Sequence, residues 1–183
     1  KLIKDAEKVA AQQKEEEQAA KTEEPRKDSG FIAVSIGEGV NEIFRGLGVD
    51  YIIEGGQTMN PSTDDILKAV EATPAEIVFV LPNNKNIIMA AEQTIPLSKK
   101  KICVLPTRSI PMGISAMLAF DEDADLESNI TEMRLAADAV GSGLITYAVR
   151  DSEYENHNIK AGELMAMKNG KLSFTDTDLT KTV

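Results

Sequence analysis

The sequence predicts an α/β fold built on a doubly wound, mostly parallel sheet, and three features predict it. Short runs of apolar residues alternate with helical stretches of about a dozen residues, as in parallel strands joined by crossover helices. Three of these runs end in polar loops that contain Pro or Gly. Near the end of the chain, Asn169-Gly170 separates two apolar runs, which is a strong hairpin signal. We therefore expect a parallel core followed by a C-terminal antiparallel β element.

The elements of the core follow in order from Gly30. Strands are predicted at residues 31–35, 51–53, 77–81 and 102–105, and a further strand at residues 144–149 precedes the hairpin. Ser62 or Thr63 should cap the second helix, because Asp64 and Asp65 then lie in its positive first turn. The other helices are predicted from apolar residues at helical spacing: Val40, Ile43, Phe44 and Leu47; Ile87, Ile88 and Ala91; residues 112–120; and Leu126, Ile130, Met133, Ala137 and Val140.

Composition divides the chain into three segments. Residues 1–29 hold seven basic and eight acidic residues and no aromatic residue, which predicts a charged helix that leads into a linker. Residues 30–142 form the predicted parallel domain. Residues 143–183 form the antiparallel element, which we expect to belong to a second, incomplete subdomain. Because the chain does not begin with Met, we expect it to be part of a longer protein.

The globular part of the chain is acidic. Residues 30–183 contain 22 acidic and 13 basic residues, so they account for −9 of the formal net charge of −10. This balance argues against nucleic-acid binding, which depends on neutralising phosphates. No apolar run is long enough for stable membrane insertion, and no signal peptide is visible. The only cysteine, Cys103, lies in a strand-like run and is predicted to be a buried structural thiol, which fits a reducing cytoplasm.

Metal, nucleotide and catalytic sites are not expected. His157 is the only histidine, and we expect it in a solvated loop, whereas zinc needs three or four ligands. Gly37-Glu38-Gly39 follows a strand, but the third glycine of a dinucleotide motif would fall at Glu42.

The candidate site consists of three polar loops that follow the second, third and fourth strands, at residues 55–63, 81–86 and 105–111. We call them the three-loop rim, because the carboxyl ends of parallel strands meet at one edge of a sheet. The rim could bind a carboxylate or phosphate, or its side chains could simply cap the helices that follow. The candidate ligand- or partner-binding residues are Gln57, Thr58, Asn60, Ser62, Thr63, Asn83, Asn84, Lys85, Asn86, Thr107, Arg108 and Ser109.

A second candidate surface is acidic. Five carboxylates lie within seven residues, without the glycine and final glutamate of an EF-hand calcium loop. Either this is a solvated helix start or it is an electrostatic docking patch for a basic partner. The residues are Asp121, Glu122, Asp123, Asp125 and Glu127.

The rim also resembles a known family. Residues 55–63, 81–87 and 106–113 are similar, in that order, to the C-terminal domain of the ATP-binding subunit of bacterial fatty acid kinase, a dihydroxyacetone kinase-like protein. Residues 31–39 match that family's first strand and turn. The resemblance covers about residues 30–174 and implies a fold related to DegV proteins and to the dihydroxyacetone-binding kinase subunit.

The resemblance implies a place in a larger enzyme. In that family the whole subunit phosphorylates the carboxylate of a fatty acid that a separate carrier protein holds, for phospholipid synthesis. ATP and magnesium are bound in an N-terminal domain that matches nothing here. We therefore expect a non-catalytic domain with no cofactor of its own that docks the fatty-acid carrier at the rim and could also pair with a second copy. The alternative is a module that binds a small acid, acyl or phosphorylated metabolite at the rim.

Overall fold

The computed structural model describes residues 27–56, 59–154, 157–169 and 171–178. The predicted charged helix and linker lie outside the described residues, except for residues 27–29. The strands that belong to the core are β1 (Lys27–Ser35), β2 (Tyr51–Glu54), β3 (Ala75–Leu81) and β4 (Lys101–Val104). The helices are α1 (Glu38–Gly46), α2 (Thr63–Ala72), α3 (Lys85–Glu92), α4 (Ile110–Leu118) and α5 (Leu126–Asp138), with a 3-10 turn at Ile95–Leu97.

The four core strands form one parallel sheet in the order β2-β1-β3-β4. Ile32 of β1, for example, pairs with Tyr51 of β2 on one side and with Val80 of β3 on the other. The central strands β1 and β3 are covered on both faces, which is why they read as continuous apolar runs in the sequence. The predicted α/β fold with a parallel sheet is confirmed.

Each face of the sheet is covered by its own set of helices. Alternate residues of β1 and β3 point to opposite faces, so each strand contributes to two separate cores. One core, which we call the α1/α4/α5 face, joins Phe31, Ala33, Phe79 and Leu81 to Phe44, Met117, Met133 and Ala137. The other joins Ile32, Val34, Val78 and Val80 to Ile66, Val70, Ile87 and Ala91 on α2 and α3. Helices on both faces make the sheet doubly wound, as predicted.

The C-terminal part is antiparallel, as predicted. The strands β5 (Gly143–Tyr147), β8 (Leu164–Lys168) and β9 (Lys171–Asp176) form a sheet in the order β5-β8-β9. Asn169, at the turn between β8 and β9, has a positive φ of 51°, which asparagine tolerates better than most residues. The hairpin at this turn is therefore confirmed.

Two predictions for this part were wrong. Val149 lies beyond the end of β5 and is 97% exposed, rather than being a strand residue. The backbone of His157 lies in a strand and not in a loop, because β6 (Ser152–Tyr154) and β7 (His157–Ile159) form a short hairpin in which Tyr154 pairs with His157. These strands have three residues each and a polar sequence, so they carry too little apolar pattern to be recognised.

The first strand also begins earlier than expected, at Lys27. Its first residues pair with β3, where Lys27 stands opposite Ala75. The Lys27 ammonium lies 2.7 Å from Oδ1 of Asp50, and Oδ2 of the same carboxylate accepts a hydrogen bond from the Phe31 N–H at 2.9 Å. Charged residues therefore extend a strand whose apolar run begins only at Phe31.

Cys103 is only half-buried, contrary to the prediction of a buried thiol. It lies on β4, which is the edge strand of the sheet. Burial still raises the pKa of the Cys103 thiol, against a smaller opposing effect of the Lys101 charge. The thiol is therefore in an environment that disfavours the nucleophilic thiolate.

None of the described helices is long and apolar enough to cross a membrane.

Candidate functional site

The three loops of the rim lie at the carboxyl ends of β2, β3 and β4, and hydrogen bonds join them. The Asn84 side-chain amide donates to the Gly56 carbonyl, which links the second loop to the first. The Asn83 backbone N–H donates to Oγ1 of Thr107 at 3.0 Å, which links the second loop to the third. The predicted convergence of the loops at one edge is thus observed.

Thr107 and Asn83 hold this edge together from inside. Thr107 is completely buried, and Asn83 is 7% exposed. Nδ2 of Asn83 donates to the carbonyl of Val34 at 3.0 Å, which ties the end of β3 to the end of β1. Asn83 also has a φ of 55°, in the left-handed region. Both residues were predicted as binding residues, and the structure shows them bonded within the chain.

Three further rim residues cap helices or bridge them. Ser62 and Asp65 form a capping box at the start of α2, since Oγ of Ser62 accepts from the Asp65 N–H at 3.2 Å and the Asp65 carboxylate accepts from the Ser62 N–H at 2.9 Å. Oδ1 of Asn84 accepts from the Asn86 N–H at 2.9 Å and caps α3. The Thr63 hydroxyl donates at 3.0 Å to Oε1 of Gln93, the residue directly after α3.

Replacing Ser62 with alanine should lower the free energy of unfolding by about 1 kcal/mol, because it removes the N-cap of α2. Hydrogen bonds from Ser62 also lower the pKa of Asp65 below its ordinary value of 3.8. A carboxylate whose pKa is lowered by folding stabilises the folded protein at pH values above its unfolded-state pKa. This stabilisation is lost as the pH falls through the folded-state pKa. The difference between the two proteins in urea denaturation should therefore shrink below pH 3.8. Asn60→Ala, on an exposed side chain of the same loop, is the control and should be neutral; equal losses would contradict the capping role.

Four of the remaining candidate residues of the rim face solvent. Asn60, Lys85, Asn86 and Arg108 are exposed, and Lys85 and Arg108 place two positive charges at one edge of an acidic protein. Gln57 and Thr58 lie outside the described residues. The rim therefore has an inner layer that bonds within the chain and an outer layer that is available to a partner.

Beneath the rim lie four side chains with buried polar atoms, of which Asn83 and Ser109 were predicted as site residues and Ser35 and Asn41 were not. Ser35 and Asn41 are each 1% exposed. Oγ of Ser35, Oδ1 of Asn41, Oδ1 of Asn83 and Oγ of Ser109 are buried and have no hydrogen-bond partner within the described part of the chain. Two signals were available in the sequence: Ser35 continues the inward alternation of Phe31 and Ala33, and Asn41 lies three residues before Phe44 on the same helix face.

The acidic segment lies at the opposite edge of the sheet, and all five of its carboxylates are exposed. Asp125 caps α5 by accepting from the Ser128 N–H at 2.9 Å, and this bond lowers its pKa. Glu122 and Asp123 line a pocket of about 510 Å³ together with Asp50, Phe31 and Phe120. Within the described residues, no group of three or more His, Cys, Asp or Glu side chains is arranged to hold a metal ion.

Comparison with known proteins agrees with this architecture. The FakA-like C-terminal family, whose model describes the C-terminal region of a fatty acid kinase subunit, matches residues 30–183. The chain belongs to this family. The resemblance that the rim motifs indicated is thereby confirmed.

Two relatives at the level of sequence come from Staphylococcus aureus. Uncharacterized proteins of strains USA300 and RF122 are each 42% identical over 170 residues, which is 93% of this chain and 31% of theirs. The chain thus spans about a third of the length of the curated relatives it matches.

A solved structure supports the fold. The crystal structure of a DegV family protein from Corynebacterium glutamicum superposes with a TM-score of 0.57 at 12% identity, covering 85% of this chain and 70% of that one. The DegV-like fold predicted for this family member is confirmed.

Proposed function

We propose that this chain is a docking domain of a fatty acid kinase subunit. It holds the fatty-acid carrier protein so that the acyl carboxylate meets ATP and magnesium bound in another domain. Family membership supports a role in such a kinase, and docking at the rim is our inference from its geometry. The domain would act through proximity, because a docked carrier presents its carboxylate at a high effective concentration.

The division of the rim into two layers is the observation that carries this proposal. The hydroxyls of Ser62, Thr63 and Thr107 are engaged in hydrogen bonds within the chain. The Asp65 carboxylate is held in the capping box. These groups are therefore occupied in structure. The Ser62 hydroxyl lies beside the Asp65 carboxylate, but hydrogen bonds lower the pKa of that carboxylate and make it a poor general base. What the rim offers is a rigid platform, which binds a partner at a smaller entropic cost than a mobile loop.

The charges suggest how the carrier is recognised. Lys85 and Arg108 are exposed at the rim, whereas Glu122 and Asp123 are exposed at the opposite edge. Complementary charge at a rim mainly raises the association rate and makes it sensitive to salt. We place the carrier on the positive edge and expect it to present carboxylates there. The acidic edge is the second candidate surface, and it would need a basic partner.

Arg108→Ala should weaken binding of the purified carrier on the order of tenfold, since it removes an exposed charge from the proposed interface. Calorimetric titration of the carrier into the chain, at low and high salt, measures this loss. Lys101→Ala is the matched control, because it removes one exposed positive charge from the opposite end of β4. Equal affinities of wild type and Arg108→Ala would remove the rim from the interface.

Two further variants separate the two edges of the sheet. Glu122→Gln and Asp123→Asn should leave carrier binding unchanged if the rim is the interface, and weaken it if the acidic edge is. Sedimentation of the chain alone would show whether a second copy is also a partner.

A further inference from the structure

Four buried polar atoms have no partner among the described residues, and they belong to side chains near the carboxyl end of the parallel sheet. Ser35 shares the face of β1 that carries Phe31 and Ala33, which is the α1/α4/α5 face. Asn41 is on α1, on the side that buries Phe44. A side chain at Gly113 of α4 would have its Cβ 2.1 Å from Oδ1 of Asn83, so this oxygen faces α4. We call Ser35, Asn41, Asn83 and Ser109 the buried polar cluster.

The cluster is costly unless something binds there. A buried polar group without a hydrogen-bond partner costs about 1–3 kcal/mol, and native proteins keep few of them. Three of the four side chains are more than nine-tenths buried. The orientation of Asn83 is determined, because its Nδ2 donates to the Val34 carbonyl. Its Oδ1 is therefore an unpaired hydrogen-bond acceptor, whereas the two serine hydroxyls can each donate a hydrogen bond.

The helix N-termini around the cluster differ from the others at this edge. The α2 and α3 helices are capped by the side chains of Ser62 and Asn84. The α1 and α4 helices have no side-chain cap: Gly37 has no side chain to offer, and Oγ of Ser109 makes no capping bond. Both helices have nine residues, and no side chain occupies the first N–H groups of α1 or those of Ile110 and Met112 on α4. Pro111 has no N–H, so α4 offers an anion fewer donors than α1 does. Among the described residues, no non-neighbouring atom lies within 4 Å of a Cβ added at Gly37 or Gly39.

We propose that the buried polar cluster binds a phosphate group that carries a hydroxyl, as inorganic phosphate does near neutral pH. Phosphate oxygens would accept from Ser35, Ser109 and the N-termini of α1 and α4. The P–OH group would donate to Oδ1 of Asn83. This is a site for a small ligand, independent of the docking of a carrier protein proposed above, and it uses Ser35, which lies below the exposed rim.

The hydroxyl requirement gives a sharp test with two ions of similar size. Titration of the isotope-labelled chain with inorganic phosphate should shift the amide signals of residues 37–39, Ile110 and Met112 in NMR spectra; Pro111 has no amide proton. Sulfate at the same pH and ionic strength has no hydroxyl to give to Asn83, and a site built to pair with a hydroxyl rejects an analogue that lacks it. We expect sulfate to bind at least tenfold more weakly. Equal shifts by both ions would overturn the assignment of Asn83 as the acceptor.

Ser35→Ala and Ser109→Ala are the variants that test the site itself. Neither hydroxyl has a partner within the described chain, so each variant should fold as well as the wild type and lose at least tenfold in phosphate affinity. Ser115→Ala on α4 is the control, because its hydroxyl donates to the Ala136 carbonyl at 2.9 Å, outside the cluster. Phosphate affinity that survives both serine variants would overturn the proposal. So would spectra that do not respond to phosphate, which would leave ordered water as the partner of these atoms.

Discussion

Replacing Phe79 with alanine should lower the free energy of unfolding by about 3–5 kcal/mol. Phe79 is completely buried at the centre of β3. Its ring stacks on Phe31 with 5.3 Å between centroids and meets Phe120 edge-on at 5.9 Å. The smaller side chain would leave a cavity between the sheet and the helices, and neighbours on a rigid sheet cannot close it.

Urea denaturation followed by circular dichroism measures this loss. Phe174→Ala is the matched control, because it deletes the same atoms from β9, where the side chain is 45% exposed. Its cost should be well below that of Phe79→Ala. Similar losses in both variants would contradict the assignment of Phe79 to the centre of the core.

Gly113→Ala should also destabilise the protein, by about 1–3 kcal/mol, although alanine is the better helix former. The new Cβ would lie 2.1 Å from Oδ1 and 2.8 Å from Cγ of Asn83. Asn83 cannot move aside cheaply, because its side chain donates to Val34 and its backbone N–H donates to Thr107. The added methyl group must therefore break the bond between the ends of β1 and β3 or displace α4.

Gly46→Ala in α1 provides the comparison. A Cβ at Gly46 meets nothing within 4 Å, so this variant should be neutral or more stable by up to about 1 kcal/mol. Thermal melting of the three proteins side by side distinguishes steric conflict from helix propensity. A Gly113→Ala protein as stable as the wild type would show that Asn83 is not fixed.

Most of the fold could be predicted from local pattern. The strands β1, β3 and β4 were found because apolar residues run through them. A cap at Ser62 or Thr63 was predicted because Asp64, Asp65 and an apolar run follow, and the structure shows that Ser62 is the cap. Interactions of this kind act between residues that are close in the chain, so a short stretch of sequence is enough to predict them. The apolar face of α5 was predicted for the same reason, and Met133 and Ala137 are indeed buried.

Local pattern could not predict the order of the strands in the sheet. The burial of a strand's side chains depends on that order. Cys103 and Phe79 lie in equally apolar runs, yet Phe79 is on a central strand and Cys103 is on the edge strand. The residues near Cys103 in the sequence do not indicate that β4 is an edge strand of the described sheet. The same limit applies to β1, which is extended to Lys27 by pairing with residues that are far away in the chain.

The candidate site shows the same division. The sequence alone determined that polar loops follow three strands and that Lys85 and Arg108 are the cations among them. Only the tertiary structure decided which polar groups are already used, since Thr107 and Asn83 meet across 24 residues and Asn83 reaches Val34 across 49. It also decided that Ser35, Asn41, Asn83 and Ser109 lie beneath one edge. Residue types are a property of the chain, whereas hydrogen-bond partners and burial depend on neighbours that only folding brings together.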